Sequence, residues 1–302
     1  MVAIETTNRC NAKCSFCPNN VLSRNRQTMS DDLFEKIIDD CTAFELGAIE
    51  PFLNGEPFMD PGILPRMELI RRRLPKTKLR LYSNGSLLKP RRVDDLIGLG
   101  IDHLYISLNT LNHDKYKRVI GLSLEKTLNN LRYLADDSRR AKVARKITFR
   151  MTRTEDTTLL EQKEFVAFCR AHKVRPMIVG LFNYKDFGPS SLPVPGFPCE
   201  HITRLDILSS GRVTLCCMDH EGEYPWGDVN KMSVLEAYNS DAACRYRASH
   251  RTGHRKAVPP CDDCNLFWPA FDHTTIAKKV QFGIEAGLYF ARHRPTGIKK
   301  VS

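Results

Sequence analysis

The sequence predicts an α/β fold: a partial barrel of six β/α units, then a small cysteine-rich domain and a terminal helix. Three observations predict it. Short apolar, strand-like runs alternate six times with helical stretches between residues 2 and 181. Residues 186–198, D-F-G-P-S-S-L-P-V-P-G-F-P, then hold four prolines and two glycines, which no regular element survives. Beyond them the cysteines cluster again, at Cys199, Cys216, Cys217, Cys244, Cys261 and Cys264. Alternating elements give a parallel sheet wrapped by helices. Six units fall short of the eight that close a barrel, so the barrel is open. The domains expected are a barrel over 1–190, a cysteine-rich domain over 191–270, and a helix and tail over 271–302.

The elements follow in order. V-A-I-E-T-T (2–7) reads as the first strand and runs into a cysteine loop. M-S-D-D-L-F-E-K-I-I-D-D-C (29–41) reads as a helix, with Ser30 as N-cap and apolar residues at 33, 34, 37, 38 and 41. G-A-I-E-P-F-L (47–53) is a strand, 62–73 a helix and K-L-R-L-Y-S (78–83) a strand. Residues 90–99 are helical, and I-D-H-L-Y-I-S-L (101–108) is a strand. A helix near 123–138 precedes the strand K-I-T-F-R-M (146–151). A helix over 157–171 precedes the strand-like V-R-P-M-I-V-G-L (174–181). In the cysteine-rich part, S-S-G-R (209–212) reads as a hairpin turn. The last helix, 274–292, carries Ile276, Val280, Ile284 and Leu288 at every fourth position, a packing face or a membrane-surface face.

Composition narrows the class. In 302 residues, 46 Lys and Arg outnumber 35 Asp and Glu, a net charge of +11. That is a basic soluble surface or an anionic partner, and charge alone does not choose. Residues 1–9 lack the apolar core of a signal peptide, and no apolar run approaches the ~18 residues of a membrane span. Eleven cysteines without a secretion signal fit reduced thiols and a cytoplasmic setting better than a disulfide framework.

The most informative stretch is C-N-A-K-C-S-F-C (10–17). It holds three cysteines and no fourth nearby. Structural zinc takes four protein ligands. Three thiolates suit a cubane iron–sulfur cluster, leaving one iron open. The loop also follows the first strand, the end of a β/α barrel that carries chemistry.

C-x-x-x-C-x-x-C in this place resembles the radical S-adenosylmethionine (SAM) superfamily. The resemblance implies that Cys10, Cys14 and Cys17 hold a 4Fe–4S cluster whose open iron binds SAM. It implies reductive SAM cleavage to a 5′-deoxyadenosyl radical, which takes a hydrogen atom from the substrate. Phe16 matches the aromatic that lies against the adenine. N-G-E-P (54–57) is similar to the family's G-G-E-P, with Asn54 in place of the first glycine. Gly55, Glu56 and Pro57 complete it, and the resemblance implies that the backbone and acid of this turn hold the methionine amino group. S-N-G (83–85) and I-S-L-N (106–109) close the third and fourth strands; Ser83, Asn84 and Ser107 resemble ribose or carboxylate contacts. Arg150 suits the SAM carboxylate, since a fork of donors matches that group, but alternation along a short strand does not settle which face it occupies.

The C-terminal cysteines resemble the SPASM/twitch extension of the same superfamily. Cys199, Cys216, Cys261 and Cys264 would enclose one auxiliary 4Fe–4S cluster; zinc also fits four cysteines. The further cysteines of a full SPASM pattern are missing, which points to the shorter twitch form. Cys217 and Cys244 are left over, and Cys244 is the candidate hydrogen-atom donor. Cys41 and Cys169 read as core residues. The resemblance implies a dehydrogenase or epimerase of a sugar-like or aminocyclitol-like small molecule, anionic if the charge is a guide. A ribosomal peptide is the alternative substrate. An external one-electron reductant such as flavodoxin or ferredoxin is the implied partner. An iron–sulfur or zinc protein that binds nucleic acid is the reading from another class, but the basic residues are spread rather than interleaved with aromatics.

Overall fold

Six strands run parallel in chain order: β1 (Val2–Ile4), β2 (Ala48–Glu50), β3 (Lys78–Ser83), β4 (Ile101–Ser107), β5 (Ala144–Thr152) and β6 (Arg175–Val179). The computed structural model describes residues 1–154, 156–180 and 199–264, with 280 and 284. Between the strands lie α1 (Asp31–Asp40), α2 (Ile63–Arg73), α3 (Pro90–Asp95), α4 (His113–Ile120), α5 (Leu124–Ala135), α6 (Asp137–Val143) and α7 (Leu159–Ala171). Ser30 caps α1 as expected, its side chain accepting from the Leu33 N–H at 3.3 Å.

The two faces of the sheet differ, and that difference makes the site. Val2, Ile4, Ile49, Leu79, Leu81 and Ile106 are buried in the main core with Phe34, Ile37, Met67 and Leu131 of the helices. The alternate positions carry polar and aromatic groups: Glu50, Arg80, Tyr82, His103, Tyr105, Thr148 and Arg150. A parallel sheet packed on both faces would be apolar on both. Here the inner face is a lining. Tyr82 stacks on Tyr105 with ring centroids 4.3 Å apart, and His103 stacks on Tyr105 at 3.8 Å.

Several expected boundaries moved. The first strand stops at Ile4, and residues 5–8 continue as buried irregular chain. The expected 90–99 helix is helical only over Pro90–Asp95, and the 123–138 stretch divides at Asp136 into α5 and α6. Helix α4 was not expected. The 186–198 linker lies outside the described residues, as does most of the 274–292 helix; Val280 and Ile284 are helical and exposed.

The cysteine-rich part is not a detached unit. Its first strand, β7 (Leu205–Ile207), pairs parallel with β1, Val2 opposite Leu205 and Ile4 opposite Ile207. β8 (Arg212–Thr214) and β9 (Gly227–Asp228) follow antiparallel, so one nine-stranded sheet runs β6-β5-β4-β3-β2-β1-β7-β8-β9. An open barrel exposes the edge of β1, and β7 covers that edge. The turn at 209–212 is a hairpin, with Gly211 at φ +90. Helices α8 (Val234–Tyr238) and α9 (Asp241–Arg251) complete this part. No helix among the described residues is long and apolar enough to cross a membrane.

Candidate functional site

Cys10, Cys14 and Cys17 sit half-buried in the loop after β1. The loop is clamped. The Lys13 and Ser15 N–H groups donate to the Ile120 and Val119 carbonyls of α4, at 2.9 and 2.8 Å. The Cys17 N–H and the Asn20 side chain both donate to the Cys14 carbonyl, at 3.0 and 2.7 Å. Burial pushes the Cys10 thiol up to about 11 and Cys14 up to about 12; the charges of Glu56 and Cys17 add to the rise at Cys10, and those of Cys17 and Cys10 to the rise at Cys14. Three such thiols ionise together only against a metal's positive charge. Phe16 packs half-buried against the core beside them.

The N-G-E-P turn lies against this loop. A Cβ on Gly55 would stand 2.1 Å from the Thr7 carbonyl oxygen, so only glycine lets the two segments touch. The Glu56 N–H donates to the Arg9 carbonyl at 2.9 Å. Its carboxylate is buried and accepts from the Asn84 N–H at 2.7 Å, the Ser83 hydroxyl at 2.9 Å and the Phe58 N–H at 3.3 Å. Burial outweighs those donors and pushes the acid up to about 7. Pro57 opens a short 3-10 turn that Glu56 caps.

Ser83 and Asn84 therefore orient Glu56, a role the sequence did not show. Asn84 also donates to Asn11 Oδ1 at 2.9 Å and accepts from the Ser86 N–H at 2.9 Å, while the Asn11 amide donates to Ser86 Oγ at 2.8 Å. Asn11, Ser86 and Asn19, whose amide donates to the Asn8 and Asn54 carbonyls, were missed. An asparagine inside the cysteine loop and S-N-G-S at a strand end were the available signals. Ser107 and Arg150 stand opposite each other on β4 and β5. Arg150 faces inward, because its neighbour Phe149 is buried against Phe168 of α7. The buried Arg150 Nε and Asn54 Nδ2 have no hydrogen-bond partner among the described residues. Such donors fit a bound carboxylate or ribose.

Cys199, Cys216, Cys261 and Cys264 are all buried. They are close enough that the charges of Cys199 and Cys264 raise both the Cys216 and the Cys261 thiols, after the larger effect of burial. Among the described residues no three His, Cys, Asp or Glu side chains converge on a single-ion site. A cubane's four ligands hold four separate irons and stand further apart than the ligands of one zinc. Cys244 is exposed on α9, its thiol 3.5 Å from the Asn239 carbonyl. The structure does not bring it to the inner face. Cys217 is there instead, packed against Ala3, Leu53 and Leu208 with His201 Nδ1 3.6 Å from its sulfur. Burial, with the charges of Arg204, Arg150 and Arg255, holds His201 down to about 3. Cys41 and Cys169 are in the core.

Comparison with known proteins accords with this geometry. The chain matches the Radical SAM superfamily over residues 4–151 and the SPASM iron–sulfur cluster-binding domain over 199–265. It is 21% identical over 269 residues to the S-adenosyl-L-methionine-dependent 2-deoxy-scyllo-inosamine dehydrogenase of Niallia circulans, covering 88% of this chain and 92% of that one. A tungsten-containing aldehyde ferredoxin oxidoreductase cofactor-modifying protein of Pyrococcus furiosus is 33% identical, over 36% of this chain and 30% of its own. Among solved structures, BtrN in complex with AdoMet and 2-DOIA superposes with a TM-score of 0.60 at 18% identity, covering 88% of this chain and 92% of that one. AnSMEcpe with bound AdoMet gives 0.67 at 14%, covering 97% and 93%. The three-thiol loop, the acid turn beside it and the four buried cysteines thus lie inside the two matched regions, and the chain belongs to the radical SAM superfamily, with a SPASM iron–sulfur domain at its C-terminal side.

Proposed function

We propose that this enzyme removes two electrons from a small, polar, aminocyclitol-like or sugar-like substrate, converting a carbinol to a carbonyl. The observation that carries the reading is the match to a dehydrogenase along nearly the full length of both chains. The four buried auxiliary cysteines support it, because four thiolates leave no iron open for a ligand and suit an electron-transfer site. When bound, the first cluster and SAM supply a 5′-deoxyadenosyl radical that abstracts a hydrogen atom from the substrate.

The chain's own residues do the rest. Cys10, Cys14 and Cys17 hold the first cluster. Glu56, fixed by Ser83 and Asn84, receives the SAM ammonium, with Asn54, Gly55 and Pro57 shaping the turn. Arg150 takes the carboxylate, Ser107 lies beside it, and Phe16 lies against the adenine. Cys199, Cys216, Cys261 and Cys264 hold the auxiliary cluster. The electron for SAM comes from an external carrier such as flavodoxin or ferredoxin, and eleven cysteines in a chain with no visible secretion signal support a cytoplasmic setting. The net charge of +11 favours an anionic substrate within this class.

A second reading, epimerisation, needs a thiol to return a hydrogen atom. On that reading Cys217, on the inner face, replaces the exposed Cys244 as donor. The test is anaerobic turnover of 2-deoxy-scyllo-inosamine with SAM and a reductant in deuterium oxide. The oxidation reading expects one ketone per 5′-deoxyadenosine and no deuterium on carbon. Recovered or inverted substrate carrying carbon-bound deuterium would replace it with epimerisation. Absence of turnover, with SAM still cleaved, would remove this aminocyclitol from the substrate class.

A further inference from the structure

Among the described residues the largest fully buried side chain is a cation, Arg255, which is 1% exposed. Its Nη2 donates to the Cys264 carbonyl at 2.6 Å. Its Nε and Nη1 are buried and have no hydrogen-bond partner among the described residues. Among the described residues no carboxylate is paired with it, and Asp262 and Asp263, between the two cysteines, are exposed. The contrast is Arg204, which is only partly buried yet has Asp206 at 2.6 Å and Glu50 at 3.8 Å. A desolvated guanidinium without an anion is among the costliest arrangements in a protein interior. It persists only where some negative charge accompanies it.

A second orphaned donor lies beside it. His250, fully buried at the end of α9, accepts the Cys199 N–H at Nδ1, 3.1 Å away. That fixes the ring proton on Nε2, and Nε2 also lacks a partner. These two residues each contact a different auxiliary cysteine, and the charge of Arg255 is felt at the Cys261 thiol. A cubane held by four thiolates is anionic and gains one further negative charge on reduction.

We infer that Arg255 is the counter-charge of the auxiliary cluster, and that Arg255 and His250 donate N–H···S hydrogen bonds which raise its reduction potential. This rests on the auxiliary-cluster reading and deepens it, since it says why that cluster takes electrons. With the cluster bound, the substrate radical would lose one electron to it and one proton to water, and an oxidised one-electron carrier would then take that electron from the protein. A buried cation stabilises the more negative, reduced state, and hydrogen bonds to sulfur act in the same direction.

The test is an EPR-monitored redox titration of the reconstituted holoenzyme, with and without SAM. Only the first cluster's signal responds to SAM, so the auxiliary signal is the one that does not move. In Arg255→Met the auxiliary potential should fall by at least a tenfold change in its one-electron equilibrium constant, about 59 mV. Arg255→Lys, which keeps the charge, should recover most of that, and His250→Phe should lower the potential less. Thermal melting of the metal-free protein separates a structural role. There Arg255→Met should hold or raise the melting temperature, because it removes an uncompensated buried charge. If Arg255→Met holds the same iron as the wild type at an unchanged potential, the inference fails. It fails equally if this variant melts lower than wild type both with and without metal and keeps its potential. A native protein that holds only one cluster, or zinc at these cysteines, would instead overturn the auxiliary-cluster reading itself.

Discussion

Glu56 shows how one residue couples protonation, stability and ligand binding. Burial lifts its pKa from 4.5 to about 7. The folded protein therefore binds this proton more tightly than the unfolded chain does. The stabilisation is complete below pH 4.5 and is lost as the pH rises to about 7, a swing on the order of 3 kcal/mol. Melting of the metal-free protein should fall across that window, and the Glu56→Gln variant should show a flatter profile. SAM reverses the balance, because its ammonium favours the carboxylate. SAM affinity should rise between pH 5 and 7 in the wild type and stay flat in Glu56→Gln, as read by equilibrium binding. Glu56→Ala should lose one charge-assisted hydrogen bond, ~1.5–3 kcal/mol or roughly ten- to a hundred-fold in affinity. An unchanged affinity would mean that the SAM site lies elsewhere.

At the scale of elements, α4 decides the shape of the cysteine loop. Asn112 caps its first turn, accepting from the Lys115 N–H at 2.9 Å. Gly121 ends it at φ +78, and a Cβ there would stand 3.2 Å from Lys13 Cβ. Gly121→Val should strain both the left-handed turn and the loop it touches. Iron bound at Cys10, Cys14 and Cys17 should drop in this variant while the auxiliary iron stays. Asn112→Ala removes only the cap, ~1 kcal/mol, and should lower the melting temperature without changing the iron count. Equal iron loss in both variants would show that α4 matters through stability alone. The element was legible after the fact: Asn112, Tyr116, Val119, Ile120 and Gly121 give a cap, an apolar face and a C-terminal glycine. Its eight residues carry too few periodic positions to stand out from loop.

All nine strands of the described residues belong to one sheet, and this has a consequence for truncation. A chain ending at residue 190 lacks β7 and leaves the β1 edge unpaired. It should associate or aggregate, as sedimentation would show, whereas two independently folded domains would give a monomer. Metal content tests the same architecture. The reconstituted wild type should hold about eight irons in two cubanes. Replacing Cys10, Cys14 and Cys17 with Ala should leave about four and abolish SAM cleavage, with the fold intact. Four irons lost from the auxiliary set instead would exchange the two assignments.

The sequence alone determined the chemistry and the alternation. Three cysteines at fixed spacing, N-G-E-P one strand later and four more cysteines near the end are local patterns, and local patterns survive in a one-dimensional string. The six strands were legible for the same reason, since their apolar runs are short and bounded. Tertiary structure alone decided the rest. Arg150 faces inward because Phe149 packs on Phe168, a choice made by a helix ten residues or more away. Cys217 rather than Cys244 reaches the inner face because β7 docks on β1 and carries the following hairpin with it. Arg255 looked like any surface arginine in H-R-K-A-V, and only burial shows it as a charge with no counter-ion among the described residues. Each of these depends on which segments meet across long stretches of chain, and spacing in sequence does not encode that.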